Sequence, residues 1–162
     1  MANNIKFFFK KGGFMAVEIL VAVSIISVSI LLAMEVSQRS VYLSRQALHS
    51  TQAAFMLEEG AEVVRILRDN GWSNISALTP GANYYPAFAG GTWTLSAIPS
   101  TVGIFTRTAV ISSVNRDNTT KDISPGGTDD PGTKLITITV SWTEGSVTIT
   151  KTLPFYIMDI FS

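Results

Sequence analysis

Residues Lys10–Glu18, with the sequence KKGGFMAVE, join a short basic segment to an apolar run that continues to Met34. Glu18 is the only charged residue between Phe14 and Met34. At about 1.5 Å per residue, a helix of this length reaches roughly 30 Å, which is enough to cross the hydrocarbon core of a membrane. The stretch therefore predicts a transmembrane helix with one carboxylate in its first turn.

A carboxylate in such a helix needs a partner, because an acid at the centre of a membrane-spanning helix costs about 2.5–3.5 kcal/mol. The cost is lower near the helix start, where the positive end of the helix dipole lies. If the chain were cut before Phe14, the freed α-amine, with an ordinary pKa of about 7.7–8.0, would be mostly cationic. Glu18 lies one turn further on and could pair with that amine or with the amine of a neighbouring molecule. The alternative is that Glu18 lies at the membrane surface among lipid headgroups.

The residues before the apolar run set its orientation. Lys6, Lys10 and Lys11 are basic and no acid offsets them, so the positive-inside rule puts this leader in the cytoplasm and everything after Met34 outside. A secretory signal is cleaved after its apolar stretch, but residues 34–39 offer no suitable site. The plausible cut lies before the apolar run.

Together these features resemble the N-terminus of a prepilin of the type IV pilin-like family, which includes the pseudopilins of type II secretion. The resemblance implies that residues 1–13 are a leader peptide, removed between Gly13 and Phe14 by a prepilin peptidase. It further implies N-methylation of Phe14 and pairing of Glu18 with the amine of a neighbouring subunit. The implied partners are that peptidase, other pilin or pseudopilin subunits, the inner-membrane assembly platform and, before assembly, membrane lipid. Met15 and Ala16 depart from the Thr-Leu often found there, but both keep the apolar character.

The helical pattern continues beyond the membrane. No proline occurs from residue 35 to 69, and apolar or small residues recur at steps of four and three, on one helix face. Asp69-Asn70-Gly71 predicts the helix end. The sequence thus predicts a transmembrane part at 14–34 and an extracytoplasmic part at 35–71. The predicted face is Leu43, Ala47, Ser50, Ala54, Leu57, Ala61 and Val64, widened by Leu48, Phe55 and Leu67.

Residues 55–72 sharpen the resemblance, because they are similar to the helix end of V-type minor pilins, with an acidic-Gly step before an Arg-rich turn. This favours a minor over a major subunit. Within the stretch, Glu58, Glu59 and Glu62 are either a functional acidic patch or, as we expect, a solvated face with local pairs such as Glu62 with Arg65.

Beyond Trp72 the apolar period changes to two, which predicts strands at 92–98, 105–114, 134–143 and 146–155. Thr143-Glu144-Gly145 predicts a short hairpin turn between the last two. The globular domain is then 72–162, with loops at 72–91 and 115–133. The predicted fold is α+β, a long N-terminal helix packed on a small antiparallel sheet.

Charge and composition exclude several function classes. The chain has 12 basic and 12 acidic residues, so losing the three leader lysines leaves nine against twelve, and the mature protein would be mildly acidic. That balance argues against nucleic-acid binding. The chain contains no cysteine, so no disulfide restrains its loops.

Residues with catalytic or metal-binding chemistry are sparse. The single histidine, His49, lies on the helix without a second imidazole or thiol, and we expect a surface residue. No phosphate-binding loop or nucleophile elbow occurs, so we expect neither enzymatic activity nor a cofactor. The loop at 115–133 contains four aspartates, which could bind calcium but lack the ligand register of an EF-hand, so a solvated loop without metal is expected. They are Asp117, Asp122, Asp129 and Asp130.

The sequence therefore predicts a minor pilin or pseudopilin, made as a single-pass cytoplasmic-membrane prepilin with its C-terminal domain outside. It would then join an extracellular or periplasmic filament through its N-terminal helix. The alternative is a single-pass anchored binding domain that never assembles. Pilus and secretion pseudopilus are not distinguished, nor are adhesion, DNA uptake, motility and secretion.

Overall fold

The computed structural model of the protein describes residues 12–160. Lys6, Lys10 and Lys11, the basic residues of the predicted leader, lie outside the described residues. The chain divides into two compact units, with the boundary between Leu48 and His49. Each unit is considered by itself below.

The first unit is helical from its first described residue. The long helix α1 begins at Gly12 and ends at Asp69, so it runs through both units. Every side chain from Phe14 to Arg45 is exposed. The helix from Phe14 to Asp69 contains a stretch long and apolar enough to cross a membrane, as predicted. Among residues 12–160, no other part of the chain buries these apolar side chains.

In the second unit, α1 buries one face. Leu57, Ala61 and Val64 belong to that face, as predicted. Ala54 and Phe55, also predicted there, are exposed instead, and Phe55 is 65% exposed. The buried face also contains Ala53, Gly60 and Val63.

The predicted helix end is confirmed. The Gly71 N–H donates to the Arg68 carbonyl at 3.0 Å, and Gly71 has a φ of +146°, which a residue with a side chain rarely adopts. The Asn74 side chain donates to the Leu67 carbonyl at 3.0 Å and satisfies one of the last carbonyls of the helix. A single short helical turn, α2 (Ser73–Ser76), follows.

Six antiparallel strands form the rest of the second unit. They are β1 (Asn83–Ala89), β2 (Thr92–Ser96), β3 (Thr101–Val102), β4 (Phe105–Arg116), β5 (Thr128–Glu144) and β6 (Val147–Met158). The sheet order is β2-β1-β4-β5-β6, and β3 pairs with β4. All four predicted strands are present. The predicted hairpin joins β5 and β6, although Glu144 is still a strand residue and the turn consists of Gly145 and Ser146.

The prediction of a loop at 72–91 was wrong, because this segment contains α2 and β1. Proline is uncommon inside a sheet, because it cannot donate to a neighbouring strand. In the structure β1 pairs with β4 only through Asn83 and Tyr84, whereas Pro86 pairs with Leu95 of β2. Pro86 thus lies where β1 has no partner on its other side.

The loop predicted at 115–133 is shorter and spans 117–127. Arg116 explains why the strands continue: its Nε donates to Asp130 at 2.8 Å and its Nη2 to Thr133 at 3.1 Å. Pro131 and Gly132 lie inside β5, where a sequence pattern favours a turn. Side-chain pairing of Arg116 outweighs that local preference.

One core holds the second unit together. Ala109, Ile111, Ile136 and Ile138 on the sheet are completely buried and cluster with the buried face of α1, including Val64. The protein is therefore an α+β fold with its long helix packed on an antiparallel sheet, as predicted.

Candidate functional site

The predicted processing and assembly residues lie at the start of α1. The backbone of Gly13 is already helical, and Phe14 is 82% exposed. Because α1 begins at Gly12, Glu18 lies in the second turn and not in the first, which corrects the prediction. Phe14 and Glu18 are still four residues apart and so share a helix face. Among residues 12–160, Glu18 has no ion-pair partner, and its side chain is exposed.

The acidic residues of the outer helix divide into two kinds. Glu62 pairs with Arg65 at 3.3 Å on the surface, as predicted. Glu59 was expected to be solvated in the same way, but it forms an ion pair with Arg107 of β4. Arg107 is 5% exposed, so this pair lies between the helix and the sheet.

Arg107 occupies a place that is otherwise apolar. Its Nη1 also donates to the Met56 carbonyl at 3.3 Å, and its guanidinium lies 5.8 Å from the centre of the Trp93 ring. Helix and sheet approach closely here: a Cβ on Gly60 would lie 2.8 Å from Cγ2 of Ile138. This close approach requires glycine at position 60.

A second polar cluster surrounds Glu144 at the end of β5. Its Oε1 accepts two hydrogen bonds of 2.9 Å, one from Nε1 of Trp142 and one from Nδ1 of His49. The Glu144 side chain is 9% exposed and that of His49 27%. The prediction that His49 is a plain surface residue was wrong, because it is partly buried and pairs with a carboxylate 95 residues away.

The hydrogen bonds to Glu144 favour the ionised form of its carboxylate. The hydrogen bond from Trp142, and then that from His49, hold the pKa of Glu144 below its ordinary value, so the carboxylate is ionised near neutral pH. An ionised carboxylate only accepts hydrogen bonds, so Nδ1 of His49 carries the hydrogen. In the neutral imidazole, Nε2 is then an acceptor. Oε2 of Glu144 is buried and has no hydrogen-bond partner among the described residues.

The His49 ring forms part of the wall of an open pocket of about 500 Å³. The pocket lies within the second unit, between α1 and the turn that joins β3 to β4. Phe105 lies edge-on to the imidazole, with 6.1 Å between the ring centres. The apolar side chains of Phe55, Val102 and Ile104 are each more than half exposed around it, and Gln52 adds the other polar group.

Strand alternation could have revealed both polar clusters. Glu144 falls on the same side of β5 as the buried Ile138, Val140 and Trp142, because residues two apart share a face. An acid at an inward position requires a partner. Arg107 likewise follows the inward Phe105 by two residues, but the sequence does not say which acid on α1 would face it.

Two of the four aspartates in the β4–β5 loop and at the start of β5 accept hydrogen bonds from nearby residues. Asp117 accepts from the N–H groups of Thr119 and Thr120, and Asp130 from Arg116. Residues 12–160 contain no group of three or more acidic, histidine or cysteine side chains that could hold a metal ion.

No protein-family model, curated protein or solved structure matches this chain.

Proposed function

We propose that this protein is a minor pilin or pseudopilin, a structural subunit of a type IV pilus-like filament. The observation that carries the proposal is the uncovered apolar helix from Phe14 to Met34, whose single charge, Glu18, lies one turn beyond Phe14. A helix that is apolar all round is stable only when lipid or other helices surround it. A bundle of identical helices in a filament core provides the second environment, and the membrane provides the first.

The position of Glu18 distinguishes an assembling helix from a simple anchor. An anchor gains nothing from an acid, which destabilises it in the bilayer. In the proposed mechanism a prepilin peptidase cuts between Gly13 and Phe14, and the new amine, which stays cationic after N-methylation, is attracted to the Glu18 carboxylate of a neighbouring subunit. This pairing sets the axial register while the apolar surfaces pack.

The second unit supports this role because the residues of its hydrophobic core all lie within that unit. Its core is formed by α1 residues after Leu48 together with the sheet, so it would stay folded while the apolar helix moves from lipid to filament. In this proposal the protein is a substrate of the peptidase and has no catalytic activity, cofactor or nucleic-acid ligand of its own. The leader faces the cytoplasm and the second unit lies outside.

The alternative function is a single-pass anchored binding domain. The pocket beside His49 favours it, because a binding domain needs such a site and a filament subunit does not. Cleavage separates the two proposals, since a permanent anchor has no use for a freed amine.

The first experiment tests cleavage at Gly13. The full-length gene is expressed in cells with an active prepilin peptidase, as wild type, Gly13→Leu and Gly12→Leu. Mass spectrometry of the membrane fraction should show wild-type protein beginning with methylated Phe14, and Gly13→Leu protein with an intact leader, because a bulky side chain beside the cut blocks the extended backbone that the peptidase requires. Gly12→Leu, the matched control, should be cut more efficiently than Gly13→Leu. An intact leader on wild-type protein would overturn the proposal.

The second experiment tests Glu18. Glu18→Val should leave cleavage and membrane levels unchanged, since valine is easier to keep in the bilayer than an acid. The variant should be missing from sheared filaments, because the charge pair that sets the register is gone. Glu35→Val, which removes an exposed acid just beyond the apolar run, is the matched control and should be incorporated normally. Equal incorporation of both variants would show that Glu18 does not direct assembly.

A further inference from the structure

The pocket beside His49 has the chemistry of a recognition site. We propose that it binds the side chain of a tyrosine from a protein partner, with the ring against Phe55, Val102 and Ile104 and the phenol O–H donating to Nε2 of His49. This inference goes beyond the proposed function and does not depend on it, because a filament subunit and an anchored domain could both use such a site.

The apolar walls define the first requirement on the ligand. Val102 and Ile104 are 51% and 52% exposed on the β3–β4 turn, and Phe55 is 65% exposed on the helix opposite. These three side chains line one open pocket with a volume of about 500 Å³, which is within the usual range for ligand pockets. An apolar group that fills it removes these side chains from water. A flat aromatic ring suits the space.

The polar end of the pocket defines the second requirement. Glu144 accepts from Nδ1 at 2.9 Å, so in the neutral imidazole Nε2 is an acceptor. The buried Oε2 of Glu144, without a partner among the described residues, adds negative potential behind the ring. An anionic ligand is therefore disfavoured, and a neutral group that donates a hydrogen bond is favoured.

These two requirements together select an aromatic ring with a donor at its tip. A phenylalanine ring meets only the first requirement, and a carboxylate or phosphate meets neither. Tyrosine combines a ring with an O–H donor, it is enriched in protein interfaces, and it loses little side-chain entropy when it is buried. We commit to tyrosine over tryptophan because the phenol O–H extends from the end of the ring opposite its attachment, as insertion toward His49 requires.

The single histidine makes the test direct, because only one imidazole contributes Nδ1 and Nε2 signals. Full-length protein with ¹⁵N-labelled histidine is purified in detergent micelles and examined by imidazole NMR. The probes are two blocked tripeptides, acetyl-Gly-Tyr-Gly-amide and acetyl-Gly-Phe-Gly-amide, which differ only in the phenol oxygen, and p-cresol. At a pH where the imidazole is neutral, the Nδ1–H tautomer is expected in the absence of ligand.

The tyrosine peptide should bind roughly three- to tenfold more tightly than the phenylalanine peptide, as one net hydrogen bond allows. Its binding should move the Nε2 resonance, whereas the phenylalanine peptide should leave Nε2 nearly unchanged. Equal binding of the two peptides, or no binding of either, overturns the proposal. Binding of p-cresol without binding of the tyrosine peptide also overturns it, and points to a site for small phenols.

Variants assign the preference to His49. His49→Phe keeps an aromatic ring in the wall but has no acceptor, so the preference for the tyrosine peptide should disappear. Gln52→Leu removes the other polar group of the pocket and should keep the preference; if Gln52→Leu abolishes it, His49 is not the acceptor. Tryptophan fluorescence melting, which reports the second unit because all three tryptophans lie there, checks that each variant is folded.

Discussion

The two units of the chain use the same residue types in opposite ways. Between Phe14 and Met34 apolar side chains are exposed on every side of the helix, whereas in the second unit Ile136, Ile138 and Val140 are completely buried. The first surface is stable only with lipid or other helices around it, and the second is covered by the chain itself. The exposed apolar residues of the first unit therefore determine where the protein resides. The buried ones of the second unit determine whether it folds.

Paired truncations test this contrast most strongly. Ile138→Ala should lower the free energy of unfolding of the second unit by about 2–5 kcal/mol, because the fully buried side chain leaves a cavity. Leu31→Ala, in the exposed apolar run, should change it by less than about 0.5 kcal/mol. Denaturant titration followed by tryptophan fluorescence, on full-length protein in one detergent, gives both values. Similar losses in the two variants would show that the first unit contributes to the stability of the second.

Gly60 tests the same contrast within the helix. Alanine normally favours a helix over glycine by about 1 kcal/mol. At Gly60 the added Cβ would lie 2.8 Å from a methyl group of the buried Ile138, so Gly60→Ala should instead destabilise the second unit by about 1–3 kcal/mol.

Gly126→Ala is the control for this prediction. A Cβ at Gly126 meets nothing within 4 Å, and the substitution should have little effect in the same denaturant titration. A stabilised Gly60→Ala variant would mean that the sheet moves aside at little cost.

The Glu59–Arg107 pair should have a smaller effect. Glu59→Ala leaves the buried guanidinium without its carboxylate and should cost about 1–2 kcal/mol, less than a fully buried pair, because the Glu59 side chain is 49% exposed. Glu58→Ala, at the next and exposed position, should change the unfolding free energy by less than about 0.5 kcal/mol. Equal effects would place Glu59 with the solvated acids, as the sequence first indicated.

These contrasts show which structural features can be predicted from sequence patterns and which cannot. Helical and alternating periodicity predicted α1 and four strands, because each pattern reports which side of an element is buried. Pro86 makes β1 difficult to predict from sequence. Strand propensities describe an average strand, not a strand that is unpaired on one side. The polar contacts of Glu59 and His49 escaped the same reasoning because their partners, Arg107 and Glu144, are distant in sequence and meet them only once the sheet packs on the helix.

The smallest expected effect is the contribution of Glu144 to acid stability. Hydrogen bonds from Trp142 and His49 lower its pKa in the folded state, whereas in the unfolded chain the value returns to about 4.3. A group with a lowered folded pKa stabilises the protein above its unfolded pKa, and this stabilisation is lost as the pH falls through the folded value. The pKa of Asp130 is also lowered, mainly by its hydrogen bond from Arg116, and that of Asp117 by the N–H groups of Thr120 and Thr119.

The free energy of unfolding should thus stay nearly constant down to about pH 5 and decrease below about pH 4. Glu144→Gln removes one titrating group but keeps the shape of the side chain, so its decrease in acid should be smaller than that of the wild type, although Asp117 and Asp130 still contribute. Glu58→Gln, an exposed control, should keep the full decrease. Denaturant titrations at a series of pH values measure these differences. A Glu144→Gln curve parallel to the wild type would show that the carboxylate titrates alike in the folded and unfolded chain, and would remove the electrostatic basis for a fixed His49 tautomer.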